Sequence, residues 1–112
     1  EDLSVEADLE LIEQVIINLV QNALEAMQGI PVPSVSLKAF KDEHGEVRIT
    51  VTDNGAGINQ EILEKLFLPF YSTKTNKSGI GLSLSQQIMM LHNARLEVQS
   101  EPGKGATFVL VF

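Results

Sequence analysis

Residues 9–27, which read LELIEQVIINLVQNALEAM, decide the fold of this chain. Apolar residues recur in this stretch at steps of three and four, the spacing that places side chains on one face of an α-helix. The members of this stripe are Leu9, Ile12, Ile16, Leu19, Ala23 and Met27. Asp8 is a suitable N-cap before the stripe, and Gly29 is a suitable end after it. We therefore expect a long helix that buries one face.

The opposite face of the same helix carries polar side chains. They are Gln14, Asn18, Asn22 and Glu25, at spacings that place them on one side of a helix. Amide oxygens are hard ligands, which suit Mg²⁺ when phosphates supply the remaining ligands. A plain solvated face is the alternative, although Asn is a poor helix former and Glu, Lys or Gln would serve that purpose better.

Segments of strand character surround this helix. They are residues 3–6, 34–41, 46–53, 95–100 and 106–112. Asn59 is a suitable cap for a short helix, residues 67–79 lack a clear period, and residues 80–92 have a helical pattern. Helices that alternate with strand pairs predict an α+β fold, a two-layer α/β sandwich with helices on one face of the sheet.

Length and charge limit the class of protein. The 112 residues suit one domain, and 8 basic against 15 acidic residues give a net charge of −7. This charge argues against nucleic acid or an anionic membrane as a partner. The chain has no Cys, which excludes disulfides, and no apolar run near the ~20 residues of a membrane span. We expect a soluble, intracellular domain, and its acidic start without Met predicts a piece of a longer protein.

Residues 53–57, DNGAG, form the second motif with chemical potential. A carboxylate at the end of a strand, such as Asp53, can accept hydrogen bonds from an exocyclic amine. Gly55 and Gly57 would let a ligand approach the backbone closely. An Asn-Gly hairpin turn is the alternative, but residues 58–63 have a helical pattern, which disfavours it.

Residues 78–84, SGIGLSL, lead directly into a helix, whose first backbone amides suit phosphate. Leu84 stands where the dinucleotide fingerprint requires a third Gly, and the Gly-Lys-Ser/Thr of a Walker loop is absent. Lys74 and Lys77 precede the motif and have the charge to meet phosphates. The alternatives are a flexible loop end and lysines that serve solubility.

Taken in order, these segments resemble the ATP-binding catalytic domain of sensor histidine kinases, a branch of the superfamily of gyrase, heat-shock chaperone, histidine kinase and mismatch-repair ATPases. The matching boxes are the N box at 14–23, the G1 box at 53–58, the F box at 67–74, the G2 box at 79–84 and the closing SEPGKGATF at 100–108. The resemblance covers nearly the whole chain, so we expect one domain over residues 1–112. The NALEA stretch and a short lid are more similar to the nitrogen-regulation subgroup.

The resemblance implies a Bergerat-type ATP-binding fold with a mixed sheet of about five strands and three helices on one face. It implies that Asp53 binds the adenine amine and that Asn22 ligates Mg²⁺, with Asn18 beside it. Residues 72–78 would form the ATP lid, and Phe67 and Phe70 would hinge it. The implied nucleotide contacts are Asn18, Asn22, Ala26, Asp53, Gly55, Gly57, Ile58, Lys74, Ser78, Gly79, Gly81, Leu82 and Thr107. Asn18 and Lys74 are the implied catalytic residues.

Two departures bear on the reaction. In the ATP-hydrolysing branches a Glu that activates water occupies the position of Asn18, and an amide cannot act as that base. Asn18 therefore favours transfer of the γ-phosphoryl group to a protein nucleophile. Many histidine kinases carry a basic residue at the position of Glu25, so one phosphate contact is missing.

The acceptor histidine of the family is absent, because the surroundings of His44 and His92 do not match its motif. We expect surface roles for both, and an acceptor on a separate dimerisation domain. A response regulator would then receive the phosphoryl group. We expect a monomeric isolated domain in the cytoplasm, from a parent with or without a membrane anchor. A serine kinase that regulates a sigma factor and a non-catalytic nucleotide-sensing module are the alternative functions.

Overall fold

The chain folds as a sheet covered on one face by helices. The computed structural model describes residues 7–67 and 81–112. The elements in chain order are α1 (Leu9–Ala26), β1 (Val35–Lys41), β2 (Val47–Asp53), α2 (Gln60–Leu63), α3 (Gly81–Leu91), β3 (Arg95–Ser100) and β4 (Ala106–Val111). The strand order is β1-β2-β4-β3, and every pairing in this sheet is antiparallel.

The fold class is the α+β sandwich that the sequence predicts, but two details of the sheet differ. Within the described residues the sheet has four strands rather than about five, and it is antiparallel rather than mixed. Short turns join β1 to β2 and β3 to β4, and such turns connect only antiparallel neighbours. The remaining expected strand, residues 3–6, lies outside the described residues.

Helix α1 begins and ends close to the predicted positions. Asp8 is the N-cap, and its Oδ1 accepts a hydrogen bond of 3.2 Å from the backbone N–H of Leu11. The buried side chains of α1 are those of Ile12, Val15, Leu19 and Ala23. Leu9, expected in the buried stripe, is 71% exposed, because the buried face is centred on Val15 rather than on Ile16.

The core lies between the helices and one face of the sheet. Its buried members are Ile12, Val15, Leu19, Val51, Ile88, Met89, Leu96, Ala106, Phe108 and Leu110. Side chains along a strand alternate between the two faces, so the registered residues Val51 and Phe108 point toward the helices together. Asp53, paired with Ala106 at the end of β2, lies on the same face and so reaches the edge of the core.

The other face of the sheet carries a set of ion pairs in place of helices. Arg48 Nε contacts Asp42 Oδ2 at 2.7 Å, and Arg95 Nε contacts Glu97 Oε2 at 2.6 Å. Arg48 Nη1 also lies 3.6 Å from Glu97 Oε1. Val111 stands between the two arginines in the strand register and is only 1% exposed. The aliphatic stems of the arginines therefore shield this valine while their charged ends stay in water.

Asp42, a member of this ion-pair set, makes the stability of the fold depend on pH in the acidic range. A hydrogen bond from the side chain of Arg48 and further bonds from the backbone N–H groups of Glu46 and His44 hold the pKa of Asp42 below its usual 3.8. Because the pKa of Asp42 is lower in the folded than in the unfolded chain, its ionised carboxylate stabilises the fold at pH values above the unfolded pKa. This stabilisation is lost as the pH falls through the folded pKa.

We therefore expect Asp42→Asn to lower the melting temperature near neutral pH. The difference from the wild type should shrink as pH falls below about 4. Thermal unfolding at a series of pH values measures it. Glu43→Gln in the same loop, where Glu43 is 87% exposed, is the matched control and should leave the profile unchanged. A wild-type to Asp42→Asn difference that stays constant down to the lowest pH would contradict the prediction.

Candidate functional site

A cavity of about 230 Å³ opens where α1, α2, α3 and the end of the sheet meet. Its lining residues are Asn22, Ala26, Asp53, Ala56, Gly57, Ile58, Ile62, Leu66, Leu82, Ala106 and Phe108. Pockets that enclose a whole drug-sized ligand measure roughly 300–1,000 Å³. The cavity between the described residues is therefore of a size for one heterocyclic ring system, and most of its wall is apolar.

Asp53 is the acidic group of the cavity. It ends β2, is only 5% exposed, and its Oδ1 accepts a hydrogen bond of 2.8 Å from the backbone N–H of Gly55. Holding one oxygen in this way fixes the orientation of the other. A buried carboxylate oriented in an apolar cavity is suited to accept a hydrogen bond from an amine on a flat ring.

The glycines after Asp53 allow close contacts between backbone segments. A Cβ on Gly55 would lie 2.5 Å from the carbonyl oxygen of Ala26, at the end of α1. Gly57 has φ +79°, and a Cβ there would collide with the carbonyl of Glu101. The loop therefore packs against α1 and against the β3–β4 turn. We expected both glycines to admit a nucleotide, and the described contacts assign Gly55 to packing, while Gly57 also lines the cavity.

Side-chain hydrogen bonds anchor the same loop at both ends. Asn54 donates to the carbonyl of Val32 at 2.8 Å and accepts from the N–H of Ser34 at 2.9 Å. Ser100 Oγ accepts from the N–H of Ile58 at 2.8 Å and donates to the carbonyl of Gly105 at 2.6 Å. The wall that carries Ile58 is thus held in place before any ligand binds.

The two asparagines of α1 have different surroundings. Asn22 lines the cavity, while Asn18, one turn earlier, donates from Nδ2 to Ser85 Oγ on α3 at 3.0 Å. Within residues 7–67 and 81–112 no group of three or more His, Cys, Asp or Glu side chains could hold a metal ion. A cation at Asn22 therefore needs oxygens from a ligand such as a polyphosphate, and an amide oxygen suits Mg²⁺ in that setting.

The structure brings together most of the predicted site residues that it describes. Those that line the cavity are Asn22, Ala26, Asp53, Gly57, Ile58 and Leu82. Gly81 begins α3 directly before Leu82, and Asn18 and Gly55 adjoin the cavity without lining it. Lys74, Ser78 and Gly79 lie outside the described residues, as do Lys77, Phe70 and the expected lid. Phe67, expected to act as a hinge, packs against the core.

Thr107, a predicted nucleotide contact, does not line the cavity. Its hydroxyl lies 3.1 Å from that of Thr52 on β2, whereas its neighbours Ala106 and Phe108 line the cavity. Because side chains alternate along a strand, Thr107 points to the opposite face of the sheet. The alternation in residues 106–112 places Ala106 and Phe108 on one face of the strand and Thr107 on the other, but only the structure shows which face meets the cavity. Two further lining residues, Ile62 on α2 and Leu66 just after it, were also missed by sequence reasoning. Their four-residue spacing indicates a buried helix face but no contact with a ligand.

The histidines do not reach the cavity. His92 Nε2 accepts a hydrogen bond of 3.0 Å from the N–H of Asp8, and its Nδ1 lies 2.7 Å from the carbonyl of Ile88. His92 thus joins the start of α1 to the end of α3, a structural role. His44 is exposed in the β1–β2 hairpin loop.

Fold and site together define a class, the two-layer α/β domain with a cavity between its helices and the end of its sheet. The chain belongs to the family of histidine kinase-, DNA gyrase B-, and HSP90-like ATPases, whose model matches residues 7–112. None of the helices in the described part of the chain has the length and apolar character that crossing a membrane requires.

Curated relatives are sensor kinases. The chain is 36% identical over 107 residues to the signal transduction histidine-protein kinase AtoS of Escherichia coli (strain K12), covering 96% of this chain and 17% of that protein. It is 38% identical over 99 residues to the C4-dicarboxylate transport sensor protein DctB of Rhizobium meliloti (strain 1021), covering 88% of this chain and 16% of that protein. The chain thus spans about a sixth of the length of these two relatives.

Solved structures agree with this family. The catalytic domain of the histidine kinase ThkA, in a nucleotide-free form, matches with a TM-score of 0.82 and 36% identity over 100% of this chain and 72% of that one. Full-length ShkA in complex with AMPPNP matches with a TM-score of 0.77 and 26% identity over 90% of this chain and 21% of that one.

Proposed function

We propose that residues 1–112 are the catalytic and ATP-binding domain of a sensor histidine kinase. The domain would bind Mg-ATP and transfer the γ-phosphoryl group to a histidine on a separate dimerisation and phosphoacceptor domain. The observation that carries this proposal is the buried Asp53, oriented by Gly55 in a cavity sized for a base. The matching ShkA structure holds the ATP analogue AMPPNP, which supports a nucleotide as the ligand.

Each part of the cavity has a task in this proposal. Ile58, Leu82 and Phe108 offer apolar surface to the adenine ring, and Asp53 accepts from its exocyclic amine. The first amides of α3, from Gly81 onward, would face the phosphates, as helix N-termini commonly do. Lys74, Ser78 and Gly79 stay predicted contacts in the segment between the described parts.

Mg²⁺ would neutralise charge on the phosphates, and Asn22, with Asn18 beside it, would hold it. An amide cannot remove a proton from water, so the site is suited to transfer rather than to hydrolysis. The acceptor imidazole is its own nucleophile and needs no protein base. The work of the domain is therefore to position the γ-phosphoryl group and to stabilise its charge.

The wider setting follows from the same proposal. The acceptor histidine would belong to the parent protein, and an aspartate of a response regulator would receive the phosphoryl group next. We propose that the domain works in the cytoplasm, is monomeric when isolated, and belongs to a nitrogen-regulation-like subgroup.

Labelled ATP tests this function in the full parent protein. Acid-labile, alkali-stable label on the protein would support phosphohistidine. Acid-stable label would favour the serine kinase instead. If Mg-ATP neither binds nor raises the melting temperature, both enzyme functions fail.

Asn22→Ala should separate nucleotide binding from phosphoryl transfer. We expect the Mg²⁺-dependent transfer rate to fall about 10–100-fold, because the metal loses a ligand, while Mg²⁺-free ATP affinity changes little. Single-turnover autophosphorylation of the full parent protein and calorimetric titration of the chain with ATP, with and without Mg²⁺, measure the two effects. Gln21→Ala, at the exposed neighbouring position, is the control. An equal loss of affinity with and without Mg²⁺ would show that Asn22 contacts the base instead.

A further inference from the structure

The carboxamide of Asn18 is held from the neighbouring helix by a buried hydroxyl. Nδ2 of Asn18 donates to Ser85 Oγ at 3.0 Å, and the two residues are 67 positions apart in the chain. Ser85 is only 2% exposed, and Asn18 is half-buried. A part-buried bond between a short serine and an asparagine leaves the amide little freedom to rotate.

This bond lies directly beside the cavity. Asn22, one turn after Asn18 on α1, lines the cavity, and so does Leu82, three residues before Ser85 on α3. The bond therefore joins two helices that each contribute a lining residue to the site.

The chemistry of an amide makes its orientation matter. One end of the group carries two N–H donors and the other end carries an acceptor oxygen. With Nδ2 occupied by Ser85, Oδ1 is the end left to face a ligand. A freely rotating amide would present N–H groups part of the time, and these repel a cation.

We propose that Ser85 is a positioning residue that keeps Oδ1 of Asn18 directed toward the Mg-polyphosphate. The inference rests on the proposed function. Ser85 does not itself line the cavity, so it acts through Asn18. Partners that orient metal ligands in this way typically change metal affinity or activity about 10–100-fold when removed.

Ser85→Ala should weaken ATP binding about 10–100-fold in the presence of Mg²⁺ and less than about twofold in its absence. Calorimetric titration of the chain under both conditions measures this split. Ser85→Thr keeps the hydroxyl and should restore most of the Mg²⁺ effect. Ile88→Val, three residues later on α3, removes a buried methyl without touching Asn18 and is the control for general loosening of the helix.

A second readout needs no ligand. In a ¹⁵N-labelled chain the side-chain NH₂ signals of Asn18, assigned with Asn18→Ala, should shift in Ser85→Ala and stay in place in Ile88→Val. Ser85→Cys, which supplies a much weaker acceptor at a similar volume, should shift the signals in the same direction. It also serves as the test variant if Ser85→Ala does not fold.

The double variant Asn18→Ala/Ser85→Ala separates positioning from packing. If Ser85 acts through Asn18, the double variant should match Asn18→Ala in its Mg²⁺ dependence. A further loss in the double variant, or an Mg²⁺ effect unchanged in Ser85→Ala, would overturn this inference alone. A wild-type chain that binds no Mg-ATP would overturn the proposed function as well.

Discussion

Asp53→Asn is expected to abolish measurable ATP binding while the fold survives. The new Oδ1 can still accept from the N–H of Gly55, as the carboxylate oxygen does at 2.8 Å, so the loop keeps its anchor. The other oxygen becomes an NH₂ group, which would meet the adenine amine donor to donor. A site built around one hydrogen bond rejects a mismatched group by on the order of 10⁴-fold, since buried polar groups are then left unpaired.

Calorimetry and the shift of melting temperature with Mg-ATP measure this loss. Asp53→Ala should lose binding too, and should also lower the melting temperature of the free chain, because the bond to Gly55 disappears. Glu61→Gln, an exposed charge change on the nearby α2, is the control and should bind normally. Normal ATP affinity in Asp53→Asn would show that the base lies elsewhere.

Gly105→Ala is expected to have the largest effect on stability, and the same turn supplies its control. Gly103 and Gly105 have φ of +80° and +77°, where an L side chain costs roughly 1–2 kcal/mol. A Cβ on Gly103 would meet nothing within 4 Å, whereas one on Gly105 would collide with the backbone carbonyl of Asp53. Gly103→Ala should therefore show the conformational cost alone.

In Gly105→Ala the new Cβ must also displace Asp53 at the end of β2, which adds to the conformational cost. We expect a loss above about 4 kcal/mol in the free energy of unfolding, a size that marks core disruption. Urea denaturation compares the two variants. Because the displaced residue is Asp53, ATP affinity should fall in Gly105→Ala and hold in Gly103→Ala. If Gly103→Ala and Gly105→Ala lower the free energy of unfolding by the same amount, the predicted collision at position 105 is wrong.

Local patterns predict most of the architecture. The three-and-four spacing and Asp8 place α1 within a residue or two, and alternation places all four described strands equally well. The bounds of this helix and these strands depend on residues close together in the chain, so they can be predicted without knowledge of the tertiary structure. Leu9 is the counterexample, because the buried face of α1 is centred on Val15 rather than on Ile16, which leaves Leu9 71% exposed.

The site was predicted by matching motifs, and a motif does not specify the direction in which each of its residues points. Thr107 belongs to a matching segment, but the strand register turns it away from the cavity. Gly55 also belongs to a matching motif, yet the carbonyl of Ala26 is what requires its missing Cβ. Both facts depend on a second segment of chain.

Periodicity and capping residues, read from the chain alone, were enough to establish the α+β class, the extent of α1 and the acidic residue at the end of β2. Tertiary structure alone decided that Asn18 meets Ser85, 67 positions away, and that Ala106 and Phe108 close the cavity beside Asp53. The physical reason is that helix and strand patterns arise from contacts a few residues apart. Contacts between distant elements depend on register and packing, which leave no period in the sequence.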